Sequence, residues 1–217
     1  ANVYDEFGNL IKEKKYPQKS ECILNEYKDK LLMDIIETGN FGYIWTKVFK
    51  YSIIEKNNIK FDEKISFRED EKFTCEYFKY VNKISITNQS YYNYIKYSKY
   101  RSTLTDNVSK DQLNIRNDLF GSWYELFKYK GFTNYNSKFL SDMAYKDIDF
   151  LLKSMFYSSS DKSVKLKYFN SISTCNLFRY LKSNKNNNFK IKTLIYIINI
   201  KSYLLYKIYN RIEYYIL

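Results

Sequence analysis

The 217-residue chain contains no histidine, one proline, five glycines and three cysteines. Without histidine there is no Ser-His-Asp triad, no Cys-His dyad and no ordinary zinc site, and carboxylates are left as the natural general bases. Cys22, Cys75 and Cys175 are odd in number and far apart, with no Cys-x-x-Cys. That pattern argues against a disulfide framework or metal knuckle and for a reducing, cytoplasmic setting. Scarce glycine and proline predict few tight turns and long helices. Long apolar runs are also missing. The most apolar stretch, residues 193–200, is interrupted by Lys201, well short of the about 20 residues a membrane span needs. The first residues lack the charged-then-apolar order of a signal peptide.

What is present is a globular composition. Apolar residues reach 45%, enough to exclude general disorder. Aromatics reach 20%, dominated by 25 tyrosines and 16 phenylalanines. Because the accompanying Lys, Asn and Ile load has the look of an AT-rich coding bias, the tyrosines carry no functional weight by number alone. The net charge of +12 fits nucleic acid, an anionic membrane surface, a diphosphate substrate or simply a solvated lysine-rich surface.

The chain opens as a hairpin, with Val3-Tyr4 and Leu10-Ile11 flanking turn residues. A helical period carrying Leu24, Tyr27, Leu31, Leu32, Ile35 and Ile36 starts at Ser20 and stops at Gly39. Further helices are predicted over residues 45–55 and 69–81, with Val48, Phe49, Ile53 and Ile54 on the inner side of the first. Short strands are predicted over 59–61, 84–87 and 91–97. From residue 106 onward only helices are expected: 113–129, 138–156 and the segment beyond Lys162, with a polar linker over 183–188. The sequence therefore divides into an α/β portion, residues 1–107, and an all-helical extension, residues 108–217.

Glu69 and Asp70 fall at the start of a predicted helix, where exposed N–H groups and the helix dipole favour anions, and Arg68 favours them too. A carboxylate base must be ionised and within reach of the hydroxyl it deprotonates, and a helix terminus is a rigid mount for one. Taken alone, an acidic pair in a first turn is a cap or dipole partner. Around this pair lie further elements in order: Gly42, Trp45 and Lys47 with Lys50; Asn58, Ile59, Phe61, Asp62 and Glu63; Phe73 three residues after Asp70; then a strand pair ending in Tyr92-x-Tyr94 and the Ser102, Leu104, Thr105 element.

This ordered set, over roughly residues 1–107, resembles the acceptor-side half of family 2 glycosyltransferases, bacterial inverting enzymes of the GT-A (Rossmann-like) fold that build cell-envelope polysaccharides. The resemblance implies a partial GT-A-like domain with Asp70 as catalytic base and Glu69 in support. It implies a nucleotide-sugar donor and a saccharide or lipid-linked acceptor. Trp45 is then an aromatic wall for the acceptor, or a core residue. Lys47 meets the diphosphate, pairs with Glu69 or Asp70, or is a solvated lysine. Arg68 and Arg101 complete the substrate-binding set. Mg²⁺ or Mn²⁺ is expected for the full-length enzyme, held by an Asp-x-Asp motif in a nucleotide-binding half that should precede Ala1. Asp147-Ile148-Asp149 lies after the base and reads as a surface helix pair. The expectation is a fragment that by itself binds sugar nucleotide poorly and turns nothing over.

The last helices are basic: residues 179–217 hold eight Lys and Arg against Glu213. Leu194, Ile197, Ile198, Leu205, Ile208 and Ile212 share one side, with Lys201 in the stripe. A helix packed on its own domain and one lying on the inner face of the cell membrane through residues 189–217 both fit. Two alternatives to a transferase are a basic helical nucleic-acid-binding module, for which no RNP, KH or helix-turn-helix signature is found, and a non-catalytic interaction module.

Overall fold

A computed structural model describes residues 2–13, 20–23, 28–65, 67–87, 90–97, 111–132, 136–158, 160–185, 187–200, 205–206 and 208–209. The chain is mixed α/β and mostly helical, at 62%, so helix packing supplies most of its core. It forms two compact units, residues 1–110 with 125–132, and residues 111–124 with 133–217.

The first unit begins with the expected hairpin. Strands β1 (Asn2–Asp5) and β2 (Leu10–Glu13) pair antiparallel. The Asp5 carboxylate accepts the N–H groups of Phe7 (2.9 Å) and Asn9 (2.7 Å) and the Asn9 amide (2.8 Å), which fixes the turn. Those bonds, led by the Asn9 side chain, hold its pKa below the usual carboxylate value. Residues 20–23 depart from expectation. Strand β3 (Ser20–Ile23) stands where a helix was predicted to start, because it pairs antiparallel with β4 (Lys83–Ile86), 63 positions on from Ser20 to Lys83. Long-range ladder bonds override local period here. Helix α1 (Lys28–Glu37) then buries Leu32, Met33, Ile35 and Ile36 and ends at Gly39, whose φ of 68° suits the left-handed helix stop.

The single helix predicted over 45–55 is broken in two. Ile44–Thr46 form one 3₁₀ turn, residues 47–50 are extended, and α2 runs Tyr51–Lys56. The extended piece is anchored by the Lys50 N–H donating to Tyr77 Oη (2.8 Å) and by Phe49 set edge-on against Tyr77 and Phe73. Val48 consequently points to solvent rather than inward. Nor is 59–61 a strand. Asn58, at φ 49°, closes α2, and the Ile59 N–H donates back to Ile54 O (3.0 Å). The helix stop thus takes the donor a strand would offer.

Helix α3 (Glu69–Lys79) matches expectation, burying Phe73, Cys75, Tyr77 and Phe78. Strand β5 (Asn93–Lys96) pairs in parallel with β1, giving the sheet order β2-β1-β5. Strands β4 and β5 therefore belong to different sheets and are not the strand pair predicted.

Every described element after residue 110 is helical: α4 (Gln112–Lys130), α5 (Asn136–Tyr157), α6 (Lys162–Thr174), α7 (Asn176–Ser183) and α8 (Phe189–Asn199). Residues 125–132 at the end of α4 belong to the first unit, where Lys130 Nζ donates to Val81 O (2.6 Å) and Tyr129 meets Tyr80 edge-on. In the second unit Leu119, Leu140, Ile148, Phe169, Leu177 and Leu194 are almost fully buried. The linker at 183–188 ends in Asn188, whose side chain accepts the Ile191 N–H (2.9 Å) and caps α8. Asn117 similarly accepts the N–H of Asn176 (2.8 Å) at the start of α7.

Two expectations about this unit are corrected. Asp147 is not a surface residue: it is 5% exposed and ion-paired with the buried Arg116, while Asp149 is half-buried and bonded to Lys153 (2.6 Å). The apolar stripe of the last helices also splits. Leu194, Ile197 and Ile198 are buried, whereas Leu205 and Ile208 are exposed, and Ile212 lies outside the described residues. Among the described residues no helix is long and apolar enough to cross a membrane.

Candidate active site

The described members of the ordered motif set lie in the first unit, around the start of α3. Arg68 sits just before that helix in left-handed backbone, φ 61°. A non-glycine residue there carries strain that the surroundings must hold. The holding contact is a two-pronged ion pair with Glu71, Nε to Oε2 at 2.7 Å and Nη2 to Oε1 at 2.8 Å. Glu71 in turn packs against Gly42. A Cβ at position 42 would lie 3.2 Å from Glu71 Cβ, so the glycine lets the 3₁₀ segment approach α3.

Asp70 follows on the first turn of α3 and is half-buried. The Ile44 N–H and Lys47 both lie close enough to act on its carboxylate electrostatically. Burial, followed by the negative charge of Glu69, nevertheless raises its pKa above the usual value, with Lys47 and the Ile44 N–H opposing. This is the reverse of the lowering expected from Arg68 and the helix dipole. The physical reason is that desolvation acts on Asp70 itself, while the Arg68 guanidinium is paired with Glu71. A carboxylate of raised proton affinity is a better proton acceptor than an ordinary surface aspartate.

Lys47 donates to Asn40 O (2.7 Å), Tyr43 O (2.8 Å) and Thr46 Oγ1 (3.0 Å). It thereby stitches the 3₁₀ turn together while keeping its charge near Asp70. Trp45 is half-buried, on the 3₁₀ turn rather than on a helix with Lys47. Its ring stacks with Tyr94 (5.2 Å, 18°) and Tyr92 (5.6 Å, 27°) and leans on Tyr43 (5.1 Å, 32°). All three tyrosines are more than a third exposed. The result is an aromatic platform beginning one residue from the Ile44 amide, which faces Asp70. Arg101 and the Ser102, Leu104, Thr105 element lie outside the described residues.

Sequence reasoning missed Tyr43, the Ile44 amide and Asn40. Tyr43 carried a signal, its i,i+2 spacing from Trp45, but a helical reading of the segment hid it. Asn40 is 2% exposed and its Oδ1 has no hydrogen-bond partner among the described residues, an uncommon state for a buried amide. No property of the sequence marks it.

The Mg²⁺ or Mn²⁺ expected from the resemblance finds no suitable donors here. Among the described residues no group of three or more acidic or sulfur ligands gathers. The Asp147-x-Asp149 pair is engaged by Arg116 and Lys153.

No protein-family model matches the chain, and neither a curated protein nor a solved structure does.

Proposed function

We propose that the first unit is the acceptor side of an inverting sugar transferase, with Asp70 as general base and the Trp45 platform as the acceptor-binding surface. The observation that carries this reading is the pairing of a half-buried carboxylate of raised proton affinity with a partly exposed three-tyrosine, one-tryptophan stack. Carboxylate beside aromatic ring is the pairing a sugar alcohol asks for. The ring packs on the C–H face of a pyranose while the carboxylate accepts a hydroxyl proton.

In the step proposed, the acceptor oxygen attacks the anomeric carbon of a nucleotide-linked sugar. The bond from that carbon to the diphosphate oxygen breaks, and the nucleoside diphosphate leaves with the electron pair. The hydroxyl proton passes to Asp70. Attack opposite the leaving group inverts the anomeric centre. Glu69 supports Asp70, Lys47 holds the turn that presents Trp45, and Arg68 fixes the start of α3 through Glu71.

Two measurements test the reading. Oligosaccharides titrated into the chain should perturb tryptophan fluorescence, and Trp45→Ala should weaken binding by about tenfold or more, the loss of one stacking contact with its burial. In a protein that also carries a donor-binding half, Asp70→Asn should abolish transfer and leave donor binding intact. Full transfer by Asp70→Asn would refute the assignment of the base. Saccharide affinity unchanged in Trp45→Ala would refute the platform.

A further inference from the structure

The charge of this chain is unevenly placed. Residues 161–217 carry eleven Lys and Arg against Asp161 and Glu213, so +9 of the net +12 lies on the last quarter of the sequence. Within the described part of that region Arg179, Lys182, Lys185, Lys190 and Lys192 are all exposed. Helix α8, in the middle of it, is apolar on two sides. Ile191, Leu194, Ile197 and Ile198 are buried in the second unit. On the other side Phe189 is 86%, Tyr196 62% and Ile200 43% exposed. At about 100° per residue these three fall on one line along the helix, within about 40° of each other, with Lys192 on its flank. An apolar line on a helix is normally covered by its own domain. This helix offers its second apolar line to solvent, inside the most cationic part of the chain.

We propose that this face of α8 is a docking surface for an anionic lipid bilayer. The inference is independent of the transferase reading and concerns the other unit. Phe and Tyr with an aliphatic end residue form the shallow wedge that enters the headgroup boundary, and flanking lysines reach the lipid phosphates on their long stems. Each lysine near an anionic surface adds attraction that falls off within a Debye length. Nucleic acid suits the same charge less well. Seven of the eight cations on residues 161–200 are lysines rather than arginines, and flat bidentate contact with bases or phosphates is an arginine property. An aliphatic Ile200 on the line also offers a base nothing to stack on.

The test is flotation of the full chain with vesicles of phosphatidylcholine alone or mixed with phosphatidylglycerol. Binding is expected only to the mixed vesicles, and it should fall at high salt. A Phe189→Ser/Tyr196→Ser variant changes only exposed side chains, so its circular dichroism should match the parent, and its vesicle affinity should drop about tenfold from the lost apolar contact. In a Tyr196→Trp variant the new emission should shift to the blue on adding mixed vesicles and stay unshifted with neutral ones. Failure to float with anionic vesicles would overturn the proposal. So would equal floating by the double-serine variant, or an indole emission from position 196 that mixed vesicles leave unshifted. Tight binding to DNA or RNA that survives the double-serine change, with no vesicle binding, would assign the cationic region to nucleic acid instead.

Discussion

The two units treat a helical aspartate in opposite ways. In the second unit Asp147 is buried and matched by an equally buried arginine, whose guanidinium also lies over the Phe150 ring (4.0 Å). In the first, Asp70 is left half-open, with its pKa raised by burial and by Glu69. One carboxylate is fixed in a buried ion pair and the other stays partly open to solvent. The surrounding architecture follows suit. The second unit closes a helical core around its ion pair, whereas none of the three-stranded sheet's side chains whose exposure is described is buried. Sequence context does not separate the two aspartates, since both sit in helices among other charges. Position relative to the core does.

The sharpest way to break this comparison is Asp147→Ala. It leaves Arg116 buried without its counter-charge, and the expected cost is about 3–5 kcal/mol in chemical denaturation. A loss below about 1 kcal/mol would put Asp147 in the class of surface ion pairs. Next comes Gly42→Ala, which forces a Cβ to 3.2 Å from Glu71 Cβ. The expected cost is about 1–3 kcal/mol, as for other overpacking changes. A neutral result would show that the 3₁₀ turn and α3 do not need close approach. The smallest effect is that of Asp70→Asn, and its sign is the informative part. The folded chain retains this proton at pH values where the unfolded chain has already released it. Ionised Asp70 therefore subtracts from stability, and the subtraction grows as pH rises above the ordinary value of 3.8 through the raised folded value. The Asn variant should melt slightly higher than the parent at neutral pH. The two should melt alike below the ordinary carboxylate range. A lower melting temperature at neutral pH would mean that Asp70, like Asp147, is a structural ion.

Much of the fold is legible in the sequence where local signals act alone. The Asp5–Asn9 turn, the stops at Gly39 and Asn58, helix α3 and the helices beyond residue 110 all follow from turn chemistry or a 3.6-residue period. The failures share a physical cause, a distant partner. Ser20–Ile23 is a strand because β4 pairs with it. Residues 47–50 are extended because Tyr77 takes the Lys50 N–H. Asp147 is buried because Arg116, 31 residues earlier, receives it. At the candidate site, Glu69, Asp70, Trp45 and Lys47 can be picked out from motif order. The direction of the Asp70 shift cannot, because it depends first on how far the folded chain buries that carboxylate and then on Glu69 beside it.

The strand order of the first unit has a consequence for how the molecule is made. The central strand is the first one, and one of its flanks, β5, begins at Asn93, opposite Asn2. During synthesis β1 emerges early and waits for a neighbour encoded some ninety residues later, whereas α6, α7 and α8 find each other within short reach. Closure over such a distance is slow relative to local helix pairing. The first unit should therefore be the later of the two to mature. Pulse-labelled hydrogen exchange during refolding reads this order directly: the Leu181 amide on α7 is expected to gain protection before that of Tyr94, and the reverse order would show that nascent β1 meets its partner by some faster route.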